Sequence, residues 1–573
     1  MSNRIVLEDC YKTYTLDQDK AVSPQETVKS VRDKLARLGL DILRYTERLD
    51  RGRLDIPVYV SACGDDALEV MPTRKQMGKG ATPAQAEASA VMEMVERYSF
   101  FHFLRHEPFI RAAYADVADR AMPLAHIAAS VHHDPLDLDR AGQALAGLLL
   151  SWTPAFNLTQ GREMLVPFDW FYEINEFNGP AAGNRLEEAV IQGLGEIVER
   201  HVSALVCRGR LKLPFIDLDS LETAVARELV AKYRRNGIRL FVKDFTLNMV
   251  LPTVGALAYD PSTFPASSEI VYTAGTATDP EKALIRALTE VAQLAGDFNT
   301  KANFVASGLP KYTALEQADY VTAAGPAVPI SALPNIGREN IKAEIEAAVD
   351  GLARRGFEVY AVNVTHPDLE VPAVYTIIPG AHFRERAKGS SVPFFAAKLL
   401  SRSDDQAAVL TGLGRLSRLY PNSYFLKFFE GQALLNQDRP AEAAEAFQAA
   451  AGMEQPEEDL AGTLTYLGLA LKELEDYDRA IEALTRSAAL DGERRDTFNL
   501  LGFCYYKTKK HEQAIEVFEK VIRLDPGSAI DYANIGSNYR ELGRRDEAVS
   551  YYKTALELDP TLTWVWDNLS KLL

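Results

Sequence analysis

Four glycines in the last third of the chain, Gly431, Gly468, Gly502 and Gly536, are each followed twelve residues later by an alanine: Ala443, Ala480, Ala514 and Ala548. The last two steps are 34 residues, and "LDP" recurs at Leu524–Pro526 and Leu558–Pro560 with the same spacing. A fixed period of this size marks the segment as a repeat array and is the length of a stacked helix–turn–helix unit. Small residues at the Gly and Ala positions let the two helices of a unit approach closely, and the proline ends the second. The first step is 37 residues, so one turn, around "GMEQPEEDL", is longer. A helix at about Gln406–Tyr420 and the terminal "TWVWDNLSKLL" are expected to cap the stack.

This pattern resembles the tetratricopeptide repeat (TPR) and implies an all-α solenoid over residues 405–573 that binds protein or peptide. Residues 1–390 show no such period. Strand-like runs ("IPVYVSAC", "RLFVKDF", "EIVYTAG", "FEVYAVNV", "VPAVYTII") alternate with long helical runs, which predicts an α+β domain. "RAKGSSVPFF" breaks the pattern, and a linker is expected at 391–404.

At 573 residues the chain is long enough for two or more cores. A formal charge of -17 argues against nucleic-acid or anionic-membrane binding, which need a basic footprint. Cys10, Cys63, Cys207 and Cys504 are scattered, with no CxxC pair, so neither a disulfide framework nor a zinc site is expected. The opening "MSNRIVLEDCYK" lacks a signal pattern, and no run of about 18 apolar residues occurs. A soluble, cytoplasmic protein is the expectation.

Three helical segments of the first domain share an unusual feature. In "GKGATPAQAEASAVMEMVERYSF", Ser89, Glu93 and Glu96 recur at i, i+4 and i+7 on one stripe, with Ala90, Val91, Met94, Val95 and Tyr98 around it. "NRLEEAVIQGLGEIVERHVSALV" carries Glu188, Gln192, Glu196 and Glu199 in the same way. "DPEKALIRALTEVAQLAG", with Asp279 at the N-cap and Pro280 at N1, carries Arg286, Glu290 and Gln293. Surface ion pairing explains most helical Glu and Arg, but an exposed face is wider and mixes Lys with Glu. Carboxylates gathered in a low-dielectric site protonate unless cations neutralise them. Oxygen-only ligation selects Mg²⁺ or Ca²⁺ over zinc, and Mg²⁺ with few protein ligands carries a phosphorylated guest. A structural polar network is the alternative.

These three blocks, together with "NGPAAG" before the second, resemble the signature blocks of the YcaO family, ATP-dependent enzymes that activate peptide backbone amides. The resemblance covers roughly residues 15–385, and accounts for the absence of a GxxxxGK[ST] loop. It implies ATP and Mg²⁺ as cofactors. It makes Glu93, Glu96, Glu196, Glu199 and Glu290 the metal-holding carboxylates and Arg286 and Glu290 the catalytic residues. Asn184, Glu188 and Ser89 match nucleotide-binding positions, and Arg97 and Arg200 would neutralise neighbouring acids, Arg200 beside the nucleotide. "DKAVSPQETVKSV" resembles the element that supplies a Lys and a Ser to the phosphates, here Lys20 and Thr27. Ser23–Glu26 is also a capping box, whose helix N-terminus favours anions.

The implied chemistry is addition of a nucleophile to an amide carbonyl, phosphorylation of the oxyanion by ATP, and loss of phosphate. An internal Cys, Ser or Thr gives an azoline, an external sulfide a thioamide, an internal amine an amidine. The chain lacks the PxPxP terminus of azoline-forming members, whereas Tyr375 stands where the standalone, thioamidation-linked members have an Arg. Its first fifty residues resemble standalone members linked to thioamidation with a TfuA partner, so thioamidation of a peptide or protein is the expected branch. An azoline-forming cyclodehydratase, or a non-catalytic TPR scaffold or accessory factor in ribosomal-protein methylthiolation, remains the alternative, and a homodimer is left open. His102 and His106 have i, i+4 spacing without the Glu of HExxH and are expected to be structural. "VHHDPLDLD" is expected to be a turn, and Cys207 a core residue.

Overall fold

The computed structural model describes residues 5–50, 52–132, 137–298, 312–383 and 391–573. The middle of "VHHDPLDLD" and the first half of "RAKGSSVPFF" lie outside the described residues. The chain divides into two compact units, Met1–Leu138 with Leu149–Ser390 and Asp139–Leu148 with Ser391–Leu573.

The first unit is α+β, with three sheets among the described residues. The first is antiparallel, Leu43–Arg48, Val58–Cys63 and Lys75–Lys79 in that order. A five-stranded sheet runs Val271–Thr276, Thr253–Tyr259, Arg239–Asp244, Phe215–Asp217 and Ala327–Pro329, only the last pair being parallel. A six-stranded antiparallel sheet places Tyr360–Asn363 and Ala373–Ile377 beside Leu150–Asn157 and Pro180–Ala182. All five strand-like runs read from the sequence contain a strand.

Each sheet backs one of the three carboxylate-bearing helices. Pro83–His106 packs on the first sheet, Leu186–Gly209 on Pro180–Ala182 and Ala373–Ile377, and Pro280–Ala295 on Val271–Thr276 and Thr253–Tyr259. The apolar majority of each helix is spent on that contact: Ala90, Val91, Met94 and Val95 are at most 1 % exposed, as are Leu194, Ile197, Leu284 and Leu288. Gly78 permits the first contact, because a Cβ there would collide with Ala90 N. Thr82 caps the first helix through Gln85 N–H, and Asp279 caps the third through Glu281 and Lys282 N–H. The second helix begins at Leu186, two residues later than the sequence pattern implied, because Asn184 is bonded back to Glu188 instead.

In the second unit, helix pairs Tyr424–Asn436/Pro440–Ala451, Glu457–Glu473/Tyr477–Leu490, Arg495–Lys507/His511–Leu524 and Ala529–Glu541/Arg545–Leu558 form the repeats, preceded by Gln406–Leu419 and closed by Thr563–Ser570. The four repeat alanines are fully buried. The glycines make room for a side chain sixteen residues on, in the second helix of the same pair: Phe447, Leu484, Phe518 and Tyr552. Two boundaries differ from the sequence reading. The stretch 391–404 is not an extended linker, since Ser391 caps a helix over Val392–Leu400. Helix Leu138–Leu145, assigned by sequence to the first domain, belongs almost wholly to the second unit. There Arg140 donates to Leu419 O and lies 4.3 Å from the Tyr420 ring, and Arg415 donates to Ala144 O at 3.2 Å. Among the described residues no helix is long and apolar enough to cross a membrane.

Candidate functional site

The polar seams of the three helices meet at one cavity of about 250 Å³ in the first unit. Ser89, Glu93 and Glu96 line it from the first helix, Glu188, Gln192, Glu196, Glu199 and Arg200 from the second, and Arg286, Glu290 and Gln293 from the third. Lys20, Thr27 and Asn184 line it as well, so the structure brings together every site residue named from the sequence.

Backbone donors hold the carboxylates in place. Glu196 accepts the N–H of Gly179 at 3.1 Å, and Glu199 that of Thr276 at 2.9 Å. Glu188 accepts Asn184 N–H and side-chain amide at 2.8 and 3.1 Å, and with its other oxygen the N–H of Ala21 at 2.6 Å. Thr27 is buried, and its hydroxyl donates to Ser23 O at 3.0 Å inside the capping box. Around the acids stand guanidinium groups: Arg97 lies 3.5 Å from Glu96, Arg200 3.6 Å from Glu196, and Arg286 donates to Gln192 at 2.9 Å.

Lys79 is the residue that sequence reasoning missed. It ends the strand before the first helix, lines the cavity and pairs with Glu290. The available signal was its setting, a lysine between two glycines that press the strand onto the helix. Tyr375, by contrast, is fully buried and donates to Phe171 O at 3.2 Å, so it offers nothing to the cavity.

Burial pushes Glu93, Glu96 and Glu199 above the ordinary carboxylate range, Glu96 farthest, despite the attraction of Arg97 or Arg286. Burial and the Arg286 charge lower Lys79 to about 8. Like charges have thus been gathered where water screens them only partly. Among the described residues, no group of three His, Cys, Asp or Glu side chains is placed to hold a metal ion alone. Mg²⁺ takes one or two carboxylates and completes its shell with phosphate oxygens and water. Arg286 Nε is buried without a hydrogen-bond partner, as expected of a donor meant for an anion. The all-oxygen donor set and this orphaned cationic donor both fit Mg²⁺ with a polyphosphate.

The histidines read as structural make no metal site. His106 Nδ1 lies 2.9 Å from His102 O, and the His102 ring is stacked on His106 and packed against His366. Cys207 is half-buried rather than core, its Sγ 3.6 Å from the Tyr312 hydroxyl.

An α+β body with carboxylates, lysine and arginine around one cavity, followed by a helical solenoid, defines a Mg²⁺-nucleotide-binding protein with a repeat module. The chain belongs to the YcaO family: residues 77–382 match the family described as YcaO cyclodehydratase, ATP- and Mg²⁺-binding, and ATP and Mg²⁺ are its cofactors. Residues 462–494 and 493–561 match tetratricopeptide repeats. An uncharacterized protein of Methanothermobacter thermautotrophicus is 29% identical over 391 residues, 63% of this chain and 94% of that protein. An uncharacterized protein in the tfuA 3′ region of Rhizobium leguminosarum bv. trifolii is 26% identical over 396 residues, 63% of this chain and 88% of that one. The structure of YcaO from Methanopyrus kandleri bound with AMPPCP and Mg²⁺ shares the fold, with a TM-score of 0.51 at 24% identity over 65% of this chain and 95% of that one.

Proposed function

We propose that this protein uses Mg-ATP to phosphorylate the oxygen of a peptide backbone amide, and that the product is a thioamide. The observation that carries the ATP chemistry is the convergence of Glu93, Glu96, Glu196 and Glu199 with Lys79 and Arg286 on one cavity. Mg²⁺ ions would supply charge neutralisation at the phosphates, shared among the four glutamates and Glu290, one or two to an ion. Lys79, Lys20 and Arg286 stabilise negative charge as the γ-phosphoryl group moves, which is the main protein contribution to phosphoryl transfer. Ser89, Thr27, Asn184 and Glu188 orient the nucleotide, and Arg97 and Arg200 stand beside Glu96 and Glu196 as counter-charges.

Sulfide adds to the amide carbon, the carbonyl oxygen takes the phosphoryl group, and phosphate leaves with that oxygen, so ATP becomes ADP and phosphate as sulfur replaces oxygen. The thioamide branch is supported by the relative in a tfuA 3′ region. The catalytic domain spans residues 1–390 apart from the helix at Leu138–Leu145, and the repeats recruit the peptide substrate or a TfuA-like sulfur-delivering partner.

The test is mass spectrometry of a peptide incubated with enzyme, Mg-ATP and sulfide. Exchange of oxygen for sulfur is expected, also in a peptide lacking Cys, Ser and Thr. Water loss that depends on one of those side chains would replace the thioamide by an azoline and leave the ATP chemistry standing. ATP hydrolysis absent under all conditions would favour the scaffold role.

A further inference from the structure

Residues 9–20 form a strap fastened beside the cavity. At its start, Cys10 N–H donates to Asn340 Oδ1 at 3.0 Å, Lys12 N–H to Glu339 O at 2.9 Å, and Ile341 N–H back to Cys10 O at 2.8 Å. The strap then turns as a hairpin. Tyr14 and Lys20 exchange backbone hydrogen bonds at 3.0 and 2.9 Å, and the turn carries Gln18 and Lys20 to the cavity wall. Asp17, fully buried in the turn, accepts from the Tyr14 hydroxyl at 2.6 Å and from Ala81 N–H at 2.9 Å.

Lys12 does not line the cavity yet is the hub of this arrangement. Its ammonium lies 2.6 Å from Glu344 and 3.0 Å from Asp19, and the Lys12 and Glu344 side chains are only 8% and 2% exposed. Glu344 also accepts the Thr278 hydroxyl at 2.9 Å and Arg338 N–H at 2.8 Å. Thr278 directly precedes the N-cap of the third carboxylate helix. One buried carboxylate therefore ties the hairpin to the root of the helix that carries Arg286 and Glu290. A buried ion pair adds little net stability over well-packed apolar residues of the same volume, whereas its directional bonds fix geometry.

We propose that Lys12 and Glu344 are positioning residues for the nucleotide: they set the hairpin 13–20 so that Lys20 and Gln18 reach it. This rests on the reading of the cavity as the Mg-ATP site. The experiment is a double-mutant cycle on the full chain, with Mg-ATP affinity measured by calorimetry for Lys12→Met, Lys20→Ala and the double variant. Each single change should weaken binding about tenfold, and the double variant should bind little worse than either single, because both act through the same hairpin. Hydrogen exchange at Tyr14 and Lys20 amides should accelerate in Lys12→Met while the three helices keep their protection. If Lys12→Met fails to fold, Glu344→Gln, which retains an acceptor for Thr278 and Arg338, takes its place in the cycle. Lys12 changes that leave affinity untouched, or that multiply fully with Lys20→Ala, overturn the proposal. Unchanged affinity in both Lys20→Ala and Glu96→Gln instead overturns the placement of the nucleotide.

Discussion

Glu188 on the second carboxylate helix accepts the backbone N–H of Ala21 at 2.6 Å, joining two parts of the chain 167 residues apart at the wall of the cavity. Its other oxygen holds Asn184, so both lone-pair faces are engaged. Removing the carboxylate should free residues 18–22 from the cavity wall. Glu188→Ala is expected to weaken Mg-ATP binding by about tenfold, roughly the worth of a hydrogen bond to a charged group. Glu188→Gln, which keeps one acceptor oxygen, should lose less. Titration calorimetry measures both, and equal losses would mean that charge, not tethering, is what Glu188 supplies.

Glu96→Gln and Glu199→Gln keep side-chain volume while deleting a negative charge from the cavity. ATP turnover should fall by about a hundredfold or more, the scale seen when one preorganised electrostatic group is lost. Circular dichroism and melting temperature should hold or rise, because a carboxylate among like charges is replaced by a neutral amide. Retention of full turnover in both variants would remove these glutamates from the metal-holding set.

The raised carboxylates give Mg²⁺ binding a pH signature. Glu93, Glu96 and Glu199 titrate higher folded than unfolded, so the folded chain holds protons that the unfolded chain has released. Metal-free stability is complete below the ordinary carboxylate range and falls as pH rises through the elevated values. Mg²⁺ replaces those protons. The gain in melting temperature on adding Mg²⁺ should therefore be small near pH 4 and grow toward about pH 8. Thermal unfolding across that range decides the matter, and a gain independent of pH would count against carboxylate ligation.

In the repeats, Gly502 faces the Phe518 ring, and a Cβ would lie 2.6 Å from its Cζ. Phe518 is itself buried, so the ring cannot swing away. Gly502→Ala should destabilise by about 1–3 kcal/mol from overpacking, reduced by up to about 1 kcal/mol of improved helix propensity. Adding Phe518→Leu should recover part of the loss, a coupling that denaturant melts of the single and double variants will measure. A neutral Gly502→Ala would show that the pair is more loosely packed than it looks.

The fold class was legible because each part of it rests on a local, periodic cost. The 34-residue recurrence of Gly and Ala marks where helices touch within a unit, and the carboxylate stripes mark the faces of three helices that line the cavity instead of packing on a sheet. Glu93 and Glu96 could be paired from sequence because they lie one turn apart on a single helix. Lys79 could not be ranked, since a strand lysine between glycines looks like any exposed turn residue until the strand is laid against the Pro83–His106 helix. The expected linker at 391–404 failed for a related reason: "RAKGSS" weakens the helical pattern, but Ser391 caps a new helix, and a cap and a break use the same residue types.

What the sequence determined by itself was therefore the inventory: three helices with polar seams, a repeat array, and the family that combines those blocks. Tertiary structure alone decided that the three seams share one cavity, that each helix is backed by a different sheet, and that Lys12, Glu344, Glu188 and Ala21 close the N-terminal strap against that cavity. Periodicity reports the face a residue occupies on its own element. Which faces meet depends on contacts between residues such as Lys12 and Glu344, 332 positions apart, and no local pattern encodes a partner at that distance.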